Sequence, residues 1–156
     1  MKGLLGRPAG YAAGGVILLG AAAAVPSLAA PACAPERATA VRIGAREWRV
    51  ETAATPAQRE RGLSGRPGLP AGRGMWFVLS EPGIHGFWMR DMRFAIDLAW
   101  ITPQGRVAGV ETLPPCTAAP CPIHYAPEPV AYVLEAAAGT LPRDEDGQAS
   151  WDCAPD

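Results

Sequence analysis

The stretch Ile96-Asp97-Leu98-Ala99-Trp100-Ile101-Thr102-Pro103-Gln104-Gly105-Arg106-Val107-Ala108-Gly109-Val110-Glu111 decides the fold. Ile96, Leu98 and Trp100 alternate with Asp97 and Ala99, the period of two that a strand imposes because successive side chains leave opposite faces. Thr102-Pro103-Gln104-Gly105 then has proline at the second place of a turn, where its fixed φ fits, and glycine at the fourth. Arg106 to Glu111 returns antiparallel.

Outward from this hairpin the pattern repeats. Val41 and Ile43 alternate with Arg42, and after a turn at Gly44-Ala45, Trp48 and Val50 alternate with Glu47, Arg49 and Glu51. That predicts a second hairpin with one buried and one wet face. Thr55-Pro56-Ala57-Gln58 has capping-box spacing with proline at the first helical position, so one short helix follows, and Gly62 can stop it in a left-handed conformation. Residues 64–74 are a Gly/Pro/Arg-rich loop. Met75 to Leu79 and Phe87-Trp88-Met89 read as apolar strands, and Ala131 to Ala136 as the last clear strand. Leu113 to Val130 is Pro-rich and irregular. After Gly139 the chain turns polar and acidic and is weakly specified. Short strands, Gly/Pro turns and a single helix predict a mainly β fold, a small antiparallel barrel or sandwich with one short helix.

The first 30 residues read as a signal peptide. Lys2 and Arg7 give a positive start, Tyr11 to Val25 is an apolar run of about fifteen residues, shorter than the ~20 that span a bilayer, and Pro26, Leu28, Ala29 and Ala30 offer a cleavage region. An uncleaved anchor is the alternative; a lipoprotein signal at Cys33 is disfavoured by Pro31. Residues 31–38 are expected to be a linker and 39–156 a single domain, periplasmic or secreted, with no membrane contact after cleavage. Without the leader the chain keeps twelve arginines against 15 acidic residues, a charge of −3, and no basic run to follow a phosphate backbone, so no nucleic-acid partner is expected. Four cysteines in an exported chain favour disulfides over metal. Three pairings are possible; the preferred one joins Cys116 to Cys121 and Cys33 to Cys153.

No standard catalytic, phosphate-binding or metal motif is present, and no cofactor is assigned. Gly62-Leu63-Ser64-Gly65 lacks the spacing of a nucleophile elbow. Asp97 and Glu135 stand in apolar strands, where a bare carboxylate costs several kcal/mol, so Arg61, Arg66 and Arg90 are expected as partners. The cluster reads either as a structural ion-pair network, as a carboxylate/guanidinium pocket for a ligand, or as an acid–base pair of Asp97 and Glu135. His85, Met89 and Met92 could suit copper, though methionine beside tryptophan more often fills core. Trp76, Trp88 and Trp100 could stack on sugars if exposed. Cys116, Cys121 and His124 could be metal ligands, a reading that disulfide formation displaces.

The succession Arg61-Gly62-Leu63-Ser64-Gly65-Arg66, Gly74-Met75-Trp76-Phe77, Phe87-Trp88-Met89-Arg90-Asp91-Met92, Ile96-Asp97 and Tyr132-Val133-Leu134-Glu135 resembles the domain-of-unknown-function family 192 over about residues 40–139. The resemblance implies a compact β-rich domain, often exported in bacteria, with no established activity, substrate or cofactor. Its recurrent residues fall here on Arg61, Gly62, Leu63, Arg66, Gly74, Met75, Trp88, Met89, Asp97, Leu134, Glu135 and Gly139. Many members have methionine at Ser64 and proline at Ala95. Members usually close with a further strand; here Leu141 to Asp156 takes that place, with Cys153 expected to stand in for a missing ladder.

Together these features predict a non-enzymatic ligand-binding or accessory module of the cell envelope. Its partner would be an unknown small ligand or an envelope protein, and its site Arg66, Trp88, Arg90, Asp97 and Glu135. The alternatives are a hydrolase or sugar-processing enzyme using Asp97 and Glu135, and a copper-handling protein.

Overall fold

A computed structural model describes residues 33–143 and 147–154. The leader of residues 1–30 therefore lies outside the described residues. A 3-10 turn at Pro35–Arg37 leads into nine strands and one helix: β1 (Ala38–Ile43), β2 (Arg46–Ala53), α1 (Pro56–Arg61), β3 (Arg73–Gly83), β4 (Gly86–Trp88), β5 (Ile96–Ile101), β6 (Val107–Leu113), β7 (Ile123–Tyr125), β8 (Val130–Ala137) and β9 (Ala149–Cys153). Within the segment expected to link leader and domain, Pro35–Arg37 form this 3-10 turn and Ala38 opens β1. The indole N–H of Trp151 donates to the Cys33 carbonyl, and Cys33 is bonded to Cys153.

Seven strands form one sheet in the order β6-β5-β8-β3-β2-β1-β9, and β4 pairs with β7 as a separate ribbon. The fold is mainly β, as expected, and sandwich-like rather than a closed barrel. Among the described residues the edges of the large sheet meet at one isolated bridge, Arg106 with Gln148, beside the bonds from Val107 N to Gly147 O and from Ala149 N to Gly105 O.

Three features differ from the sequence expectation. First, β2 and β3 are parallel, not antiparallel, because α1 and the loop after it carry the chain back to the end from which β2 started. Second, the Pro-rich segment contains β7, which pairs with β4 in the register Phe87–His124 and Trp88–Ile123. Third, the C-terminal ladder is not missing: β9 pairs antiparallel with β1, and Cys153 sits within it opposite Ala38. The strand β5 alternates in chemistry but not in burial. All six of its residues are buried, because both faces of the sheet are covered at its centre.

Each face has its own core. On one face Val41, Ile43, Trp48, Trp76, Ala99, Ile101 and Leu134 pack together, and Trp76 stacks on Tyr132 with ring centroids 5.1 Å apart. On the other, Leu63, Met75, Phe77, Met89, Leu98, Trp100 and Val133 pack beneath α1, its following loop and the β4–β7 ribbon. Neighbouring residues on a strand serve opposite cores, and this decides where the candidate site residues lie.

Candidate functional site

The two blocks of sequence that bear most of the charged and aromatic residues meet. The amide of Gly65 donates to the Asp91 carbonyl at 2.9 Å, and the Ser64 hydroxyl donates to the Arg90 carbonyl at 3.1 Å. The turn after α1 is thereby clamped to the chain leaving β4. The helix itself is short but well started. The Thr55 hydroxyl accepts from the Gln58 amide and the Gln58 side chain accepts from the Thr55 amide, completing the capping box. Gly62 ends it with φ +48 and ψ −134, a positive φ as expected but outside the left-handed helical well, in territory that glycine alone enters freely.

Between α1, this turn, β3 and β4 lies a cavity of about 340 Å³. Leu63, Phe77, Leu79, Phe87 and Met92 supply apolar walls; Arg59, Glu60, Arg61, His85 and Trp88 surround its mouth; and Glu135 of β8 lies on the sheet beneath. Phe87 fixes the ribbon against the sheet through edge-to-face contacts with Phe77 and Trp100, at centroid separations of 5.1 and 5.5 Å. Gly74 lets β3 approach β8 at this level. A Cβ there would lie 2.9 Å from the Glu135 carbonyl oxygen and 3.0 Å from Leu134 Cδ1.

Glu135 is 7% exposed, and its Oε2 has no hydrogen-bond partner among the described residues. Burial in these apolar walls pushes its carboxyl up to about 8, against a smaller downward pull from the Arg66 charge. At neutral pH it is therefore mainly a neutral acid. Arg66 does not bond to it. Both guanidinium nitrogens go to Glu51, at 2.7 Å each, and this bidentate pair lowers Glu51 and raises Arg66. In the lateral register Glu51 of β2, Met75 of β3 and Glu135 of β8 form one row, so Arg66 is anchored two strands away from the carboxyl that it influences.

Asp97 is elsewhere. It pairs in register with Ala136, whereas Leu98 pairs with Glu135, so the two carboxyls leave opposite faces of the sheet. Asp97 is fully buried and fully engaged. Its Oδ1 accepts from the Thr112 hydroxyl at 2.6 Å, and its Oδ2 accepts from the amides of Thr140 at 2.8 Å and Leu141 at 3.0 Å. Burial raises its carboxyl, but the hydrogen bonds from Thr112, Leu141, Gly139 and Thr140 outweigh this and hold it below the usual range. Its guanidinium neighbour is Arg143, 3.8 Å from Oδ1, rather than Arg61, Arg66 or Arg90. Asp97 ties down the turn after β8. The geometry for an acid–base pair with Glu135 is absent.

Trp88 is 45% exposed at the mouth, and Arg90 stacks on it with its guanidinium carbon 3.9 Å from the ring centroid. Trp76 and Trp100 are buried, which removes both as exposed sugar platforms. Met89 is packed in the core, and His85 Nε2 is 2.8 Å from the Glu81 carbonyl, so the copper string of His85, Met89 and Met92 is divided between core and cavity. Among the described residues no group of three His, Cys, Asp or Glu side chains could hold a metal. Cys116 is bonded to Cys121, and His124 Nδ1 faces Glu111 at 3.6 Å instead. Of the five residues expected to share a site, then, Glu135 and Trp88 line the cavity, Arg66 and Arg90 flank it, and Asp97 lies behind the sheet. The sequence reading missed Phe77, Leu79 and Phe87 as cavity walls, since apolar strand residues look alike whether they face core or cavity. His85, noted for metal, belongs to the mouth.

The solved structures similar to this chain include two crystal structures of bacterial proteins. One, from Sinorhizobium meliloti 1021 and provisionally described as a transcription regulator, is 29% identical with a TM-score of 0.63, over 72% of this chain and 92% of that one. The other, a protein of unknown function from Novosphingobium aromaticivorans DSM 12444, is 27% identical with a TM-score of 0.61, over 80% of this chain and 94% of that one. No curated protein matches. The family profile of DUF192, described as "Uncharacterized ACR", matches residues 39–145, which include α1, the cavity, Asp97 and Glu135, and the chain belongs to that family.

Proposed function

We propose that this protein is a non-enzymatic ligand-binding module of the cell envelope, and that its site is the cavity over Glu135. One observation carries the reading: a buried carboxyl whose Oε2 has no partner, lining a cavity of about 340 Å³ with apolar walls. A buried polar group without a partner is costly, and a cavity of this kind with one convergent polar group is the usual form of a small-molecule site. The leader pattern and the two disulfides support a place outside the reducing cytoplasm. No helix among the described residues is long and apolar enough to cross a membrane. The regulator description belongs to that relative; in this chain Arg42, Arg66 and Arg106 are each paired with a carboxylate, and a net charge of −1 does not favour a polyanionic partner.

The test is a screen of small amphipathic compounds by amide NMR, read at Leu63, Phe87 and Glu135. Binding that perturbs these residues and is lost in Leu79→Trp, which fills the cavity from its wall, supports the reading. A blank screen, or hits indifferent to Leu79→Trp, removes it.

A further inference from the structure

We infer that the cavity takes an organic cation, an ammonium group on an apolar or aromatic body, with Glu135 as its counter-charge. This rests on the cavity being the binding site and adds the chemical class of the ligand.

From α1, Arg59 donates to the carbonyls of Ala54 and Val78, so its guanidinium is committed to the helix start and β3. Arg61 stands beside Glu60, and both line the mouth. From the loop, Arg66 is neutralised by the bidentate contact with Glu51 of β2. Beyond the mouth, Arg90 lies against Trp88. From the β3–β4 connection, His85 is held by the Glu81 carbonyl. On the far side of the sheet row, Glu111 accepts from the Trp100 indole at 2.7 Å. Arg59, Arg66 and Arg90 are each committed to another group, Arg61 is exposed to solvent, where its charge is screened, and none of the four is hydrogen-bonded to Glu135 Oε2.

The interior therefore offers one group of opposite sign to a cation, together with the rings of Phe77 and Phe87, and Trp88 stands at the mouth. Aromatic faces attract cations, and an ammonium–carboxylate contact is stronger than any pairing with the neutral acid. With the cavity empty, keeping the proton spares Glu135 the cost of a bare buried charge. When an ammonium group enters, Glu135 releases its proton to solvent, the ligand keeps its own, and the pair replaces an unpartnered acid. Binding is thus exchange of one proton for one cation.

The experiment is calorimetry on the full-length mature chain with phenethylamine, 2-phenylethanol and phenylacetate, three probes of one shape and different charge. It is run from pH 6 to 9 in buffers of different ionisation enthalpy. The amine should bind at least about tenfold more tightly than the alcohol, with release of close to one proton at pH 7. Its affinity should rise about tenfold per pH unit up to pH 8 and then level. Glu135→Gln, which keeps the shape of the neutral acid, should remove both the proton release and the pH dependence. Equal binding of the alcohol, tighter binding of phenylacetate, or amine binding without proton release would overturn the inference while leaving the cavity as a site. Absence of binding by all three probes at millimolar concentration, in a chain that also fails the amphipathic screen, would end both readings.

Discussion

A carboxyl group held among apolar side chains keeps its proton until the solvent turns alkaline, and Glu135 is in that position. Its folded value of about 8 lies above its ordinary 4.5, so between these the folded chain binds more protons than the unfolded one. Its contribution to stability is full below about pH 4.5, declines as pH rises through 8, and is constant beyond. Glu135→Gln should abolish this decline: compared with the wild type, the variant should gain up to about 1.4 kcal/mol per pH unit across the window. Urea unfolding at pH 5, 7 and 9 reads the difference, and parallel profiles for the two proteins would contradict it. Asp97 has the opposite sign. Its lowered value means that stability is present above the ordinary 3.8 and is lost as pH falls through the folded value. Asp97→Asn sets an amide against backbone donors at Thr140 and Leu141 and should cost roughly 2–4 kcal/mol at pH 7. The gap should narrow as pH falls through the lowered folded value and the wild-type carboxyl itself takes up a proton.

At the scale of elements, the cavity depends on a helix of six residues that cannot stand alone. Its capping box and the clamp from Gly65 to Asp91 hold the mouth. Thr55→Ala should cost about 1 kcal/mol and speed amide exchange at Arg59, Gly62 and Leu63 before it affects β5 or β8. Unchanged exchange in α1 would show that packing alone holds the helix. This helix was legible in the sequence because capping is local chemistry: Thr55, Pro56 and Gln58 declare it within four residues. So were the 96–111 hairpin and its Pro103-Gly105 turn. The ribbon strand β7 was not, since three residues between prolines carry no period. Nor was β9, whose Ser150-Trp151-Asp152-Cys153 is half exposed and gains its order from β1 rather than from its own pattern. The parallel pairing of β2 with β3 was hidden for another reason. A crossover through α1 and a loop can return the chain beside either end of a strand, and the choice rests on contacts between residues distant in the sequence, such as the pairing of Glu51 with Met75.

For the whole molecule, the bond from Cys33 to Cys153 joins the segment before β1 to the last strand across a sequence separation of 120, whereas Cys116 and Cys121 are 5 apart. On the chain-entropy account, removing the long bridge costs about 5 kcal/mol and the short one about 2. Cys33→Ser with Cys153→Ser should therefore lower the urea midpoint well beyond Cys116→Ser with Cys121→Ser, and equal losses would contradict a tether between the ends of the domain. The candidate site was legible only in part. The sequence names its charged and aromatic residues, but a one-residue step in register sends Asp97 to one face of the sheet and Glu135 to the other. Register is fixed by pairing across strands distant in the chain, which periodicity along one strand cannot report. What remains of the site is a single acid beneath an apolar cavity. Carbon-13 NMR titration of the Glu135 carboxyl in the ligand-free protein tests that most directly. A midpoint near 8 is predicted, and a midpoint between 4 and 5, the range of an ordinary solvated glutamate, would contradict it.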